Sequence, residues 1–391
     1  MKIAVLTNLY PPIQTGTAQW AQQLANSLTA SGDEVVVIAC NRDGVYHEEV
    51  RDGVTIYRLP PAGKLPSSTL FFNFDEFLLI NSRANRRRVV EIFKKHGIEA
   101  VHVASQILDS TLLAHSACRT LDLPSVCSIH TYINHPANRF FNFALKAVDR
   151  TLMRHFVMRK FSAIVALDDP GAKYITQTYR PKRMEWISTC IDDEALKLEP
   201  AQPGRPDEVV NIVSVGHLDE RRSREDLLQA LSILKKEGLR FRLQIAGKIT
   251  RARTLERIRE LDLIEEVEPL GEVQHAELFD VLREAHIEAH WLDTIPGVGH
   301  ASMESLALGL PVVTYGYEGV FGKVPYKHGE NIMFITPGDV DGIADAIRRL
   351  AGDPVLRGEM GVQARKLISD YLNWNVLIHS YRELYADLIG S

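Results

Sequence analysis

Gly297 and Gly299, with Val298 between them, run into a short helical pattern, and Glu304 stands about one turn inside it. Met303, Leu306 and Ala307 are apolar at i, i+3 and i+4, Gly309 supplies a left-handed C-cap, and Pro311 ends the helix before a β-branched strand. A glycine loop feeding a helix N-terminus presents unpaired N–H groups at the positive end of the helix dipole, which suits a phosphate. A carboxylate repels phosphate, but its two oxygens accept both hydroxyls of a ribose diol. Glu304 is expected on the face opposite the apolar one. The stretch therefore reads either as a nucleotide-diphosphate site or as an ordinary strand–helix crossover with a solvated glutamate.

The elements that must position these residues alternate along the chain. Apolar runs at 2–6, 34–39, 99–103, 125–129 and 163–167 read as strands, with helical patterns between them such as 20–29. Strands spaced by helices imply an α/β fold with parallel, doubly wound sheets, whose ligands lie at the carboxyl ends of the strands. Gly16, His102 with Ser105, and His130 all fall at or just past such ends. A Pro/Gly-rich stretch at 199–206 interrupts the pattern. A second series then follows, with runs at 209–215, 239–246, near 267, and at 287–292, 312–315 and 333–335, before a last amphipathic helix at 374–388. The expected domains are 1–200, 201–372 and a closing helix at 373–391.

Composition limits the function. The chain has 391 residues, 24% charged and 45% apolar, with a net charge of −5, which suits two full cores and argues against a nucleic-acid partner. Cys40, Cys118, Cys127 and Cys190 form no C-x-x-C pair, so reduced thiols in the cytosol are expected, and no run approaches a membrane span.

Several motifs, in order, resemble the retaining glycosyltransferases of family 4, which have the GT-B fold. In the second half these are residues 216–222, Ala246-Gly247 and the stretch from Gly297 to Val313; in the first half they are Tyr10-Pro-Pro to Gly16, Val101-His102, Ser128-Ile-His130 and 163–167. The likeness covers nearly the whole chain. It implies two Rossmann-like domains with parallel sheets facing a central cleft, the first binding the acceptor and the second the nucleotide-sugar, with the last helix crossing back to the first. It implies transfer of a sugar with retention, the leaving phosphate helping to deprotonate the acceptor, with no metal or other cofactor. His130 is expected to hold the donor sugar and Arg222 to stabilise the leaving diphosphate. Gly16, His217, Gly247, Gly297, Val298, Gly299 and Glu304 are expected to bind the donor, with N–H donors from Gly16 and from 297–299.

There are departures from the family pattern. Its first of two glutamates, which contacts donor-sugar hydroxyls, is Pro296 here; its usual arginine is His217, and its lysine is Arg222. Arg221 and Arg224 lie nearby, with at least one expected in solvent. Asp192 and Asp293 are the carboxylates expected near the site, in structural roles. The rival readings are a non-catalytic nucleotide-sugar-binding member of the fold and a nucleotide-sugar epimerase.

Other clusters weigh less. His286, Glu288 and His290 alternate, so on a strand they share a face, but they lack the order of a zinc helix, and His130 with His135 is equally weak as a metal pair. Residues 81–95 and 139–160 are basic, the second interleaved with phenylalanines; it reads either as a core-packed helix with a solvated basic face or as a peripheral contact with the anionic inner face of a membrane. In the membrane reading the acceptor is lipid-linked rather than a free sugar or small molecule, and the apolar run 70–80 lines its groove.

Overall fold

The computed structural model describes the chain except residues 14, 67–75, 107–108, 131–138, 206–208, 219–223, 250–251, 291–296 and 391. It forms two compact units, Met1–Thr189 with Leu377–Ser391, and Cys190–Val376.

In the first unit the strands are β1 (Lys2–Leu6), β2 (Glu34–Cys40), β3 (His47–Arg51), β4 (Val54–Leu59), β5 (Gly63–Pro66), β6 (Glu76–Leu79), β7 (Ala100–Val103), β8 (Ser125–Ile129), β9 (Ala163–Ala166) and β10 (Met184–Trp186). Eight of them form one sheet in the order β10-β9-β8-β7-β1-β2-β4-β3, while β5 and β6 pair as a separate ribbon. The central strands are apolar on both faces, as a parallel sheet covered by helices requires: every residue from Ile3 to Leu6 and from Val35 to Cys40 is buried. The β3–β4 pair is antiparallel and joined through Asp52 and Gly53, both at positive φ. This two-residue turn is of the kind that suits a hairpin. Because β3 is a charged, largely exposed edge strand, it lacks the apolar run that marks the others.

In the second unit the strands are β11 (Val210–Val215), β12 (Phe241–Ala246), β13 (Val267–Gly271), β14 (Ile287–Ala289), β15 (Val312–Tyr315) and β16 (Met333–Ile335). Their order is β13-β12-β11-β14-β15-β16, parallel throughout. The direction of winding reverses at β1/β7 in the first unit and at β11/β14 in the second, and in sheets of this kind a crevice outside the strands' carboxyl ends is expected at each reversal. The Pro/Gly stretch falls within the second unit, since the change of unit comes earlier, after Thr189. All four cysteines are buried and free. Among the described residues no helix is long and apolar enough to cross a membrane.

Candidate functional site

The helix His300–Ala307 starts at Gly299, which offers no side-chain cap. Its first internal bond runs from the Met303 N–H to the Gly299 carbonyl (2.9 Å), so the N–H groups of His300, Ala301 and Ser302 precede the ladder and point out of the helix end. Gly297 departs from expectation. Its N–H donates to the Tyr315 carbonyl (2.8 Å) and its own carbonyl accepts from Thr314 Oγ1 (3.0 Å), so Gly297 ties the loop to β15 and is not an open donor. Val298 is buried beneath the loop. Glu304 is not simply solvated, because its Oε1 lies 2.8 Å from His275 Nε2. That hydrogen bond, and the carboxylate charge with it, raises the His275 pKa against the opposing effect of burial. Asp192 is pushed up by burial and by the neighbouring charges of Asp193, Glu194 and Glu304.

The loops after β11 and β12 touch. Gly216 N–H donates to the Ala246 carbonyl (2.8 Å) and Leu218 N–H to the Lys248 carbonyl (2.9 Å). A Cβ at Gly247 would sit 2.4 Å from the Gly216 carbonyl oxygen, so only glycine lets the two backbones approach this closely. His217 Nδ1 accepts from the Lys248 N–H (3.0 Å), which in the neutral ring places the proton on Nε2.

At the β11/β14 reversal the structure buries two charged residues that the sequence places only as a neighbour of the site and as a member of the alternating triplet. Arg224 is fully buried and sits just ahead of the helix Glu225–Lys236, at φ 55°. Its Nε donates to Ser214 Oγ (2.9 Å), and its Nη2 to the Val215 carbonyl (3.0 Å) and to His290 Nδ1 (2.9 Å). Glu288, on β14, is also fully buried; Ser302 Oγ donates to its Oε1 (3.4 Å), and Oε2 has no hydrogen-bond partner among the described residues. Burial pushes the Glu288 carboxyl up to about 8, against the pull of Ser302 and Arg224. The alternating triplet does not converge, since His286 Nδ1 instead accepts from the Asn211 N–H (3.1 Å). Arg222, Arg221, Asp293 and Pro296 lie outside the described residues, as do His135 and most of the run 70–80.

In the first unit a buried aromatic cluster packs beside the ends of β7 and β8. His102, on β7, is buried, with Nδ1 2.6 Å from Tyr385 Oη and Nε2 2.8 Å from Ser128 Oγ. Burial, and then the charge of His130, lowers its pKa to about 3. His130 follows β8, and the Trp20 ring meets it edge-on at 4.4 Å between centroids. Trp20 also touches His102 and Tyr381. Gly16 opens the helix Gly16–Ala30, which Thr15 caps through Ala18 N–H; a Cβ on Gly16 would meet nothing within 4 Å, so no steric demand for glycine arises there. The helix Trp374–Ile389 supplies Tyr381 and Tyr385 from the far end of the sequence. No local motif announces Trp20, Tyr385, Arg224 or His275 as partners of these sites.

Residues 15–195 match the family Glycosyltransferase Family 4, and residues 197–367 match the family Glycosyl transferases group 1. The chain is 24% identical to a glycogen synthase of Mycobacterium tuberculosis, over 98% of its own length and 94% of that protein's. Its fold is similar to that of a sucrose-phosphate synthase from Thermosynechococcus elongatus, at TM-score 0.71 and 18% identity, covering 100% of this chain and 99% of that one. It is similar also to Anabaena HepE in complex with UDP, at TM-score 0.71 and 15% identity, covering 99% and 100% of the two chains.

Proposed function

Because the chain is a glycosyltransferase of GT-B fold, with two Rossmann-like domains, we propose that it moves a sugar from a nucleotide-diphosphate-sugar to an acceptor hydroxyl of a glycoconjugate with retention of configuration. One observation carries the reading: Glu304 stands a turn behind the uncapped end of the helix His300–Ala307, already oriented by His275. In this reading the diphosphate takes the N–H groups of His300, Ala301 and Ser302, with Val298 and Gly299 in the approaching loop. The free oxygen of Glu304, with the remaining lone pairs of the other, accepts the ribose hydroxyls.

Charge develops on the leaving phosphate as the bond from the anomeric carbon to the phosphate oxygen breaks. Preorganised donors aimed at that oxygen lower the barrier. We assign this task to Arg222, to the Nε2–H of His217 and to the helix amides, which together take the place of a metal. The acceptor oxygen attacks from the face that the diphosphate leaves, and its proton passes to the departing phosphate. Gly247 keeps the His217 loop against the loop after β12. In the first unit, we assign His130 to the sugar and Gly16 to backbone N–H donation. His130 is turned by Trp20 and stands beside a His102 whose charge burial suppresses.

The test is transfer from UDP-, GDP- and ADP-sugars to a carbohydrate acceptor, followed by the anomeric proton coupling of the product. An α-linked product from an α-linked donor is expected. An inverted product overturns retention, binding without turnover favours a non-catalytic protein, and an isomerised donor formed without acceptor favours an epimerase.

A further inference from the structure

Residues 139–160 continue the chain beyond the strand end that carries His130, and they expose what a core-packed helix would hide. Among the described residues, the exposed phenylalanines are Phe140, Phe143 and Phe156, 82%, 72% and 67% accessible, and Val148 and Leu152 are exposed with them. The segment is helical from Arg139 to Val148, turns once as a π-helix through Asp149–Met153, and resumes at Arg154–Phe156. A π turn advances about 80° per residue rather than the ~100° of an α-helix. Across its five residues this swings Leu152 and Phe156 back toward the side held by Phe140, Phe143 and Val148. Without that turn the apolar residues would spiral away around the helix.

Arg139, Lys146, Arg150 and Arg154 form a second stripe beside the first, with Arg159, Lys160 and Arg180 close by in the fold or sequence. None of the seven makes an ion pair with a carboxylate among the described residues. After burial, the charges of Arg180 and Arg159 hold the Arg154 pKa down, so these cations repel one another. The segment's own acid, Asp149, is buried and accepts from Tyr174 and Tyr179 (2.7 Å to the latter), which fastens the helix to its unit and leaves the cations uncompensated. All this sits in a chain of net charge −5. An apolar stripe flanked by unpaired cations is complementary to a surface of acyl chains under anionic head groups.

We propose that residues 139–160 dock this protein on an anionic lipid surface, with the phenylalanines in the acyl boundary and the cations on the head groups. The surface belongs to the first unit and stands independently of the donor site. The segment begins nine residues after His130 in sequence.

The test is co-sedimentation of the full chain with vesicles of phosphatidylcholine and phosphatidylglycerol, two to one, against phosphatidylcholine alone. Wild type pellets with the mixed vesicles and far less with the neutral ones, and salt releases it. Lys146→Gln with Arg150→Gln binds roughly 30-fold more weakly, at about 1 kcal/mol per cation. Phe140→Ser, Phe143→Ser and Phe156→Ser together abolish binding while circular dichroism and UDP binding stay as in wild type. Wild type left in the supernatant, or variants that pellet as wild type does, overturns the proposal. So does a wild-type dimer that the triple phenylalanine variant converts to monomer, which makes the face an interface between copies.

Discussion

The two winding reversals share one sheet logic and differ in chemistry. At β1/β7 the buried side chains of Trp20, His102, Tyr381 and Tyr385 pack together, with both His102 nitrogens hydrogen-bonded and the ring kept neutral by burial. At β11/β14 it holds a buried guanidinium, a buried carboxyl and the Glu304–His275 pair. Parallel strands fix where a ligand can reach a row of loop amides. The side chains at that place differ: in the first unit buried neutral rings pack the strand ends, whereas in the second buried charge lies beside open helix amides.

The largest difference between the crevices is the cost of removing one group. Arg224→Ala should cost about 3–5 kcal/mol in denaturant unfolding, because it leaves Ser214 Oγ, the Val215 carbonyl and His290 Nδ1 buried without the donor they share. The cost should be larger at pH 9, where Glu288 is ionised, than at pH 6, and an equal cost would mean the two side chains are not coupled. Next comes Arg222→Ala, with kcat lowered roughly 10²–10³-fold and nucleotide affinity little changed; unchanged turnover would remove Arg222 from the leaving-group site. In the neutral crevice, Tyr385→Phe should cost only about 1–3 kcal/mol, the price of one buried hydrogen-bond partner left unmet. A loss equal to that of Arg224→Ala would erase the contrast.

The last difference is a slope with pH. The Glu288 pKa is raised from an ordinary 4.5 to about 8, so the folded state holds a proton that the unfolded chain has released. Stability from this group is intact below the ordinary carboxylate range, falls as pH rises toward 8, and is level above it. The melting temperature of Glu288→Gln relative to wild type should therefore climb between pH 5 and pH 8. A constant difference would show that Glu288 is ionised throughout.

Much of the framework was legible in the sequence. β1, β8, β15 and β16 begin and end where their apolar runs do, and Gly309 takes positive φ after the helix as expected. β3 escaped because an edge strand needs no apolar face, although Asp52-Gly53 marked its turn. The charged core escaped for another reason. Arg224 precedes its helix at positive φ, so a helical wheel says nothing about where it points. Glu304 meets His275, Trp20 meets His130 and Tyr385 meets His102 across long stretches of chain, where no spacing rule applies. The phenylalanine stripe was visible as a pattern, but periodicity alone does not say whether a face is covered.

The most direct measurement takes the nucleoside diphosphate that the transfer assay selects from UDP, GDP and ADP and compares it with its 2′-deoxy form by isothermal titration against wild type and Glu304→Ala. If Glu304 holds the ribose diol at the end of the helix His300–Ala307, wild type prefers the ribonucleotide by roughly tenfold or more, as a hydrogen bond to a charged group allows, and the variant binds both alike. A preference of wild-type size persisting in Glu304→Ala would place the ribose elsewhere and contradict the donor site described for the second unit.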